Sequence, residues 1–166
     1  MTEHHTNKDL FALAIAAERT AKSLYQGLAA KFANHPDVAA FWNRYAEEEE
    51  GHALWLERLH NEVDTAKLSE PADVWTLEKL EHVQRFSVED ALNEIVTLED
   101  AYQLVNDLEN SEMNAVFEFL IDQFSSDSRT QAFLRSQIRS HVANLLIEFP
   151  TQFKSAVARR AIKSAP

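Results

Sequence analysis

Residues 45–52 read Tyr-Ala-Glu-Glu-Glu-Glu-Gly-His, four consecutive glutamates followed closely by a histidine. Read as helix, the apolar positions around them are Val38, Phe41, Trp42 and Tyr45 on one side and Leu56, Leu59 and Val63 on the other. The same three-and-four spacing places Glu49 and His52 in the gap, on the face that should meet a core. Glu47, Glu48 and Glu50 fall off that stripe and need only solvent. A carboxylate and an imidazole facing a core are costly unless their charge is compensated. A metal ion is the commonest compensator for this pair. Oxygen donors with a few imidazole nitrogens suit iron, manganese or zinc.

The same anomaly recurs on three other stripes. A first helix, from about Lys8 to Ala33, carries Leu10, Phe11, Ala14, Glu18, Ala21, Tyr25, Leu28 and Phe32 on one face. A third, from Ser87 to about Glu109, carries Val88, Leu92, Ile95, Glu99, Tyr102 and Val105, and leaves Glu94 off the stripe. A fourth, from about Arg129 to Glu148, carries Leu134, Ile138, His141 and Leu145. Several carboxylates cannot share a dry core as anions without cations. The candidate metal ligands are therefore Glu18, Glu49, His52, Glu99 and His141. A single inward Glu or His is more often a hydrogen-bonded structural group, but five in a recurring order favour a metal. Tyr25, Tyr45 and Tyr102 lie on the same stripes and read as core aromatics whose hydroxyls are satisfied by carboxylates.

Long helices must position these groups, and the composition supports them. The 166 residues include 2 Gly and 4 Pro, too few turn formers for a many-stranded sheet, and 45% are hydrophobic, enough for a sizeable core. The chain has no Cys, which excludes disulfides, thiolate zinc sites, iron–sulfur clusters and a rubredoxin-type centre. A formal net charge of -11 argues against a nucleic-acid partner. No apolar run reaches membrane-spanning length and the first residues do not read as a signal peptide, so the expected location is cytoplasmic. Met1 to Asn7 reads as a frayed tail. Asn34 to Asp37 closes the first helix and opens the second, with Pro36 in its first turn. Thr65 to Phe86, with Pro71 inside and a short helix at Val74–Leu80, is long enough to travel the length of a bundle and start the third helix in the same sense as the second. Ser87 with Asp90 forms an approximate capping box. Ser111–Phe124 either extends the third helix or forms a separate one, and Ser125–Ser128 breaks it. Thr151–Pro166 is a short amphipathic segment with Lys154, Arg159, Arg160 and Lys163, expected to dock on the acidic body or on a neighbouring subunit. Each half pairs a helix bearing an inward Glu with a helix bearing an inward His, a weak internal repeat.

In this order of ligands the chain resembles the ferritin-like superfamily of di-iron carboxylate proteins, and the rubrerythrin-related branch in particular. That branch shares the order Glu, Glu-x-x-His, Glu, Glu-x-x-His, and the resemblance covers about residues 8–148. It implies an all-α fold: an antiparallel four-helix bundle with a long crossover between helices 2 and 3 and a short C-terminal helix, in one domain over residues 1–166. It assigns Glu18, Glu49, His52, Glu99 and His141 to metal, with one or two iron ions as the implied cofactor and zinc or manganese as alternatives. The implied function is an oxidoreductase acting on peroxide, dioxygen or ferrous iron. A homodimer and a separate electron donor are the implied partners. Two departures stand out. The glutamate expected three residues before His141 is Ile138, and the second glutamate expected one turn after the third-helix ligand is Tyr102. Three carboxylates leave two divalent ions with excess positive charge, so a single ion or a weakly held second one is expected. The alternative is a degenerate bundle, with a structural metal or none, used for interaction or sensing.

Overall fold

The computed structural model describes residues 5–110 and 113–154. They form α1 (Asn7–Lys31), α2 (Pro36–Glu62), α3 (Thr65–Leu68), α4 (Val74–Gln84), α5 (Val88–Glu94), α6 (Leu98–Glu109), α7 (Met113–Phe124) and α8 (Ser128–Glu148), closed by a 3-10 turn at Thr151–Phe153. The fold is an all-α ferritin-like bundle.

α1 and α2 are long, unbroken and packed along their lengths. Thr6 caps α1 and forms a capping box with Asp9, satisfying amides that the first helical turn leaves free. The expected frayed tail is thus partly built into the fold. Asn7 is buried and its Nδ2 donates to the Lys67 carbonyl at 2.9 Å, while backbone bonds join Asn7 to Glu70 and Ala72 to His5. These pin the start of α1 to the crossover. Within the crossover, α4 packs on α1 and α7 and buries Leu80.

Side-chain pairings give the directions of the remaining helices. The start of α6 lies beside Phe32 and His35, at the α1–α2 turn, around an open groove that also includes Leu98 and Glu99. Its last residue, Glu109, reaches Tyr25 in the middle of the hairpin. Farther along, Phe117 of α7 meets His52. So α6 and α7 together run in the sense of α2. α8 returns antiparallel, pairing Phe133 with Trp55, His141 with Glu48, and Glu148 with Arg44. This is the bundle with a crossover that the long 65–86 connection predicts.

The expected continuous helix from Ser87 to Glu109 is in fact two. Ser87 caps α5 as expected. The chain then leaves helical geometry at Ile95, with ψ at 120°, and restarts behind Thr97, whose hydroxyl accepts from the Asp100 amide while Asp100 accepts from the Thr97 amide. A β-branched run, Ile95-Val96-Thr97, followed by a Thr-x-x-Asp box explains the break locally. Close packing accompanies it: a Cβ added at Gly27 of α1 would lie 2.3 Å from Leu92 Cδ1 on α5, so only glycine admits α5 at this distance without a shift.

The apolar core falls into two clusters. One holds Leu24, Tyr25, Trp42, Tyr45, Tyr102 and Phe149, and the other holds Phe11, Leu56, Phe117, Ile121, Leu134 and Ile138. On each of the four helical rods the sequence passes from one cluster to the other across a polar residue: Glu18, then Glu49 with His52, then Glu109, then His141.

Candidate metal centre

Those residues form a single buried layer between the two clusters. Glu18, Glu49, His52, Glu109 and His141 are each less than a tenth exposed. α1 supplies Glu18, α2 supplies Glu49 and His52 from consecutive turns, α6 supplies Glu109 at its last position, and α8 supplies His141. Four separate backbones therefore converge on one height of the bundle.

Within the layer are two triads that share Glu49. In the first, His52 Nδ1 lies 3.0 Å from Glu49 Oε2 and 3.5 Å from Glu18 Oε2. In the second, His141 Nε2 lies 3.0 Å from both Glu49 Oε1 and Glu109 Oε1. Each triad offers one donor atom per residue, all within 4.8 Å of one another. The imidazole ring centroids are 5.5 Å apart. Oxygen plus imidazole nitrogen is a donor set for iron, manganese or zinc, so the residues present fit a metal ion.

The electrostatics show how the layer balances its charge through protons. Burial pushes Glu18 up to about 8; His52 opposes this and the Glu49 charge adds to it. Burial would likewise raise Glu49, but hydrogen bonds from His141 and His52 outweigh it and hold this carboxyl below its usual range. Burial disfavours charge on His52, yet Glu18 and Glu49 overcome that and raise it to about 10. His141 is held well above the ordinary imidazole value against its burial, by Glu109, Glu48 and Glu49. The imidazolium protons thus sit where carboxylates converge, the role a metal cation would take over.

Of the five expected ligands, four come together and Glu99 does not. Glu99 stands exposed in the first turn of α6, where a negative charge favours the helix terminus. Ten residues separate it from Glu109, which is about 15 Å along a helix axis. The cause is the break at 95–97. A stripe phased from Val88, Leu92 and Ile95 does not carry across it, and the inward face of α6 is Leu98, Ala101, Tyr102, Val105 and Glu109. Glu109 is legible as the next member of the Tyr102–Val105 series, at the same spacing. Glu112, three residues after Glu109 in the sequence, lies outside the described residues, as do Arg159, Arg160 and Lys163. Of the C-terminal segment expected to dock, residues 151–154 are described, and there Phe153 packs on the first apolar cluster while buried Lys154 donates to the Leu146 carbonyl.

Glu48 is a second correction. It is only partly exposed, and its carboxylate meets His141 Nδ1 instead of solvent. The tyrosines divide three ways. Tyr25 donates to Glu109 Oε1, which is the carboxylate partner expected. Tyr45 donates instead to the His141 backbone carbonyl, at 2.6 Å. Tyr102 is buried without a hydrogen-bond partner for its hydroxyl among the described residues. Ile138 is buried in the second apolar cluster, one turn before His141, and adds no donor. Beside the layer, a cleft of about 300 Å³ is lined by Trp55, Leu56, Phe117, Phe124 and Leu134. Phe117 is shared, its ring lying 5.1 Å from that of His52.

No helix among the described residues is long and apolar enough to cross a membrane. No curated protein and no solved structure matches the chain with significance. A sequence model of the rubrerythrin family matches residues 9–125, a span that includes Glu18, Glu49, His52 and Glu109 and stops before His141. With a ferritin-like bundle and a buried carboxylate–imidazole layer able to hold metal, that match over more than half the chain places this protein in the rubrerythrin family.

Proposed function

We propose that the protein binds iron in this layer and works as an oxidoreductase on peroxide, dioxygen or ferrous iron. The observation that supports this most is the pair of triads sharing Glu49, built from four helices and closed off by apolar clusters on both sides. Glu18 and Glu109 would each serve one position, Glu49 would bridge both, and His52 and His141 would supply the nitrogens. Bound iron would provide one-electron redox chemistry and a Lewis acid for an oxygen-based substrate.

The chain's own groups prepare that chemistry. Tyr25 holds Glu109 through its hydroxyl, and its proton is retained because burial, with Glu109 beside it, pushes the phenol well above its ordinary value. Helices surround the layer and keep bulk water from competing for the carboxylates. The cleft beside Phe117 gives a small molecule an approach toward the His52 side. Without cysteine, the chain needs an external electron donor for repeated turnover.

A second reading draws on one observation: each imidazole and each carboxylate in the layer already has a protein partner, so the bundle closes without a metal. On that reading it is a metal-free interaction or sensing module. Anaerobic loading with ferrous iron separates the two. Retention of iron through gel filtration, followed by oxidation on exposure to air or peroxide, is the expected result. If no iron is retained, the oxidoreductase reading is wrong and the metal-free one stands.

A further inference from the structure

Glu48 sits beside Glu49 on α2 but reaches a different target. Its Oε2 meets Nδ1 of His141, a side chain with 1% exposure, while Nε2 of the same ring faces Glu49 and Glu109 at 3.0 Å each. We propose that Glu48 is the positioning residue for His141: it accepts the Nδ1–H bond, fixes the ring's orientation, and so aims Nε2 into the layer, where a metal ion would take the place of the Nε2 proton. This rests on the metal-binding reading and adds to it a residue outside the ligand set.

Three further features support it. First, α8 has no carboxylate one turn before His141, because Ile138 occupies that place in the apolar cluster. The partner that orients this imidazole therefore comes from another helix. Second, Glu48 is itself held. Arg44, one turn earlier on α2, places Nε 3.9 Å from Glu48 Oε1 and pairs through Nη2 with Glu148 of α8. That clamp ties the two helices together at the height where the carboxylate must reach across. Third, Tyr45 fixes the backbone of His141 through the carbonyl and lies against the ring, with centroids 4.2 Å apart. Backbone and ring face are thus set by Tyr45, and the remaining freedom, rotation of the ring edge, is set by Glu48. A metal-bound imidazole whose other nitrogen donates to a carboxylate is a stronger and better-aimed donor, and losing such a partner typically weakens metal affinity by about 10–100-fold.

The test uses cobalt(II) as probe, titrated into the metal-free protein and followed by its visible absorption and by equilibrium dialysis. Glu48→Ala should weaken binding by about 10–100-fold in the class of sites that His141→Ala removes. It should affect the class that His52→Ala removes much less, through the shared Glu49 alone. Glu48→Gln should recover most of that affinity, since its carbonyl oxygen accepts the same bond, and Glu47→Ala, changing the exposed neighbour, should match the native protein. Unchanged binding in Glu48→Ala overturns the proposal, and so does equal weakening of both classes. If the native protein takes up no cobalt, the metal-binding reading fails by itself. In that case the Nδ1–H proton resonance of His141 in the metal-free protein decides: loss of its strongly hydrogen-bonded, downfield position in Glu48→Ala but not in Glu47→Ala supports the positioning role, and identical spectra remove it.

Discussion

The two halves of the bundle are built differently for similar tasks. α1 and α2 are unbroken rods of 25 and 27 residues that deliver Glu18, Glu49 and His52 from their interiors. The other side is assembled from shorter pieces, and Glu109 is delivered by the last residue of the 12-residue α6. An interior ligand has its backbone fixed by hydrogen bonds on both sides, whereas the carbonyls at a helix end lack helical partners. The second half compensates with side chains. Tyr25 of α1 holds Glu109, while Glu48 and Tyr45 of α2 hold His141. The first hairpin thus supplies three members of the polar layer and also the braces for the other two. Glu109, braced at a helix end, and the groups held inside long helices should respond differently to perturbation.

The largest effect is expected where the halves meet. Glu49→Ala should abolish metal uptake altogether, because both triads use this carboxylate. His52→Ala and His141→Ala should each remove only part of it, and Glu99→Ala should change nothing. Elemental analysis after anaerobic reconstitution with ferrous iron reads all four. Full loss in His52→Ala with full retention in His141→Ala would mean that only the first hairpin holds metal and that the braced side is structural.

A pH series on the metal-free protein sharpens the same comparison. Glu18 rises from 4.5 to about 8, and His52 from 6.5 to about 10. A raised folded-state value contributes stability that is fully present below the unfolded value and lost as pH rises through the folded one. The metal-free protein should therefore lose thermal stability as pH rises from about 4.5 to about 10, through Glu18 up to about 8 and through His52 from about 6.5 upward. A fall in Tm of at least about 4 °C is expected, since one pKa unit is about 1.4 kcal/mol and each kcal/mol moves Tm by roughly 2–4 °C at this chain length. Calorimetry with and without a bound divalent metal checks it: the ion takes over the role of the protons, so the slope should flatten. An equal slope in both forms would detach the layer from metal binding.

The smallest effect concerns the break that separates α5 from α6. Thr97→Ala removes the hydroxyl of the capping box and should cost about 1 kcal/mol, or roughly 2–4 °C in Tm, with metal content unchanged. A loss of iron in that variant would show that the start of α6 and its far end act as one rigid lever on Glu109.

What is legible in the sequence follows the same division. In the long rods the three-and-four spacing persists far enough to give the inward face without ambiguity, so Glu18, Glu49 and His52 stand out as polar members of apolar stripes. His141 stands out for the same reason inside the 21-residue α8. Glu99 lies where Val88, Leu92 and Ile95 point on one continuous helix. Helical periodicity says nothing of a break, and the β-branched run Ile95-Val96-Thr97 becomes a helix boundary only through the capping box that Thr97 makes with Asp100. Glu48 is hidden for another reason. Its position off the stripe is real, but a glutamate side chain is long enough to reach an imidazole on a neighbouring helix, and periodicity reports the direction of Cβ, not the reach beyond it.

Glu49 carries one more consequence. Its two oxygens are committed to different imidazoles, Oε2 to His52 and Oε1 to His141. A first ion that captured one oxygen would fix the carboxylate plane and orient the other, so the two positions cannot load independently. Occupancy of the layer becomes a linked equilibrium in which the affinity for a second ion depends on the first by a reciprocal factor. A binding isotherm steeper or shallower than that of two separate sites would be the signature of a single shared side chain.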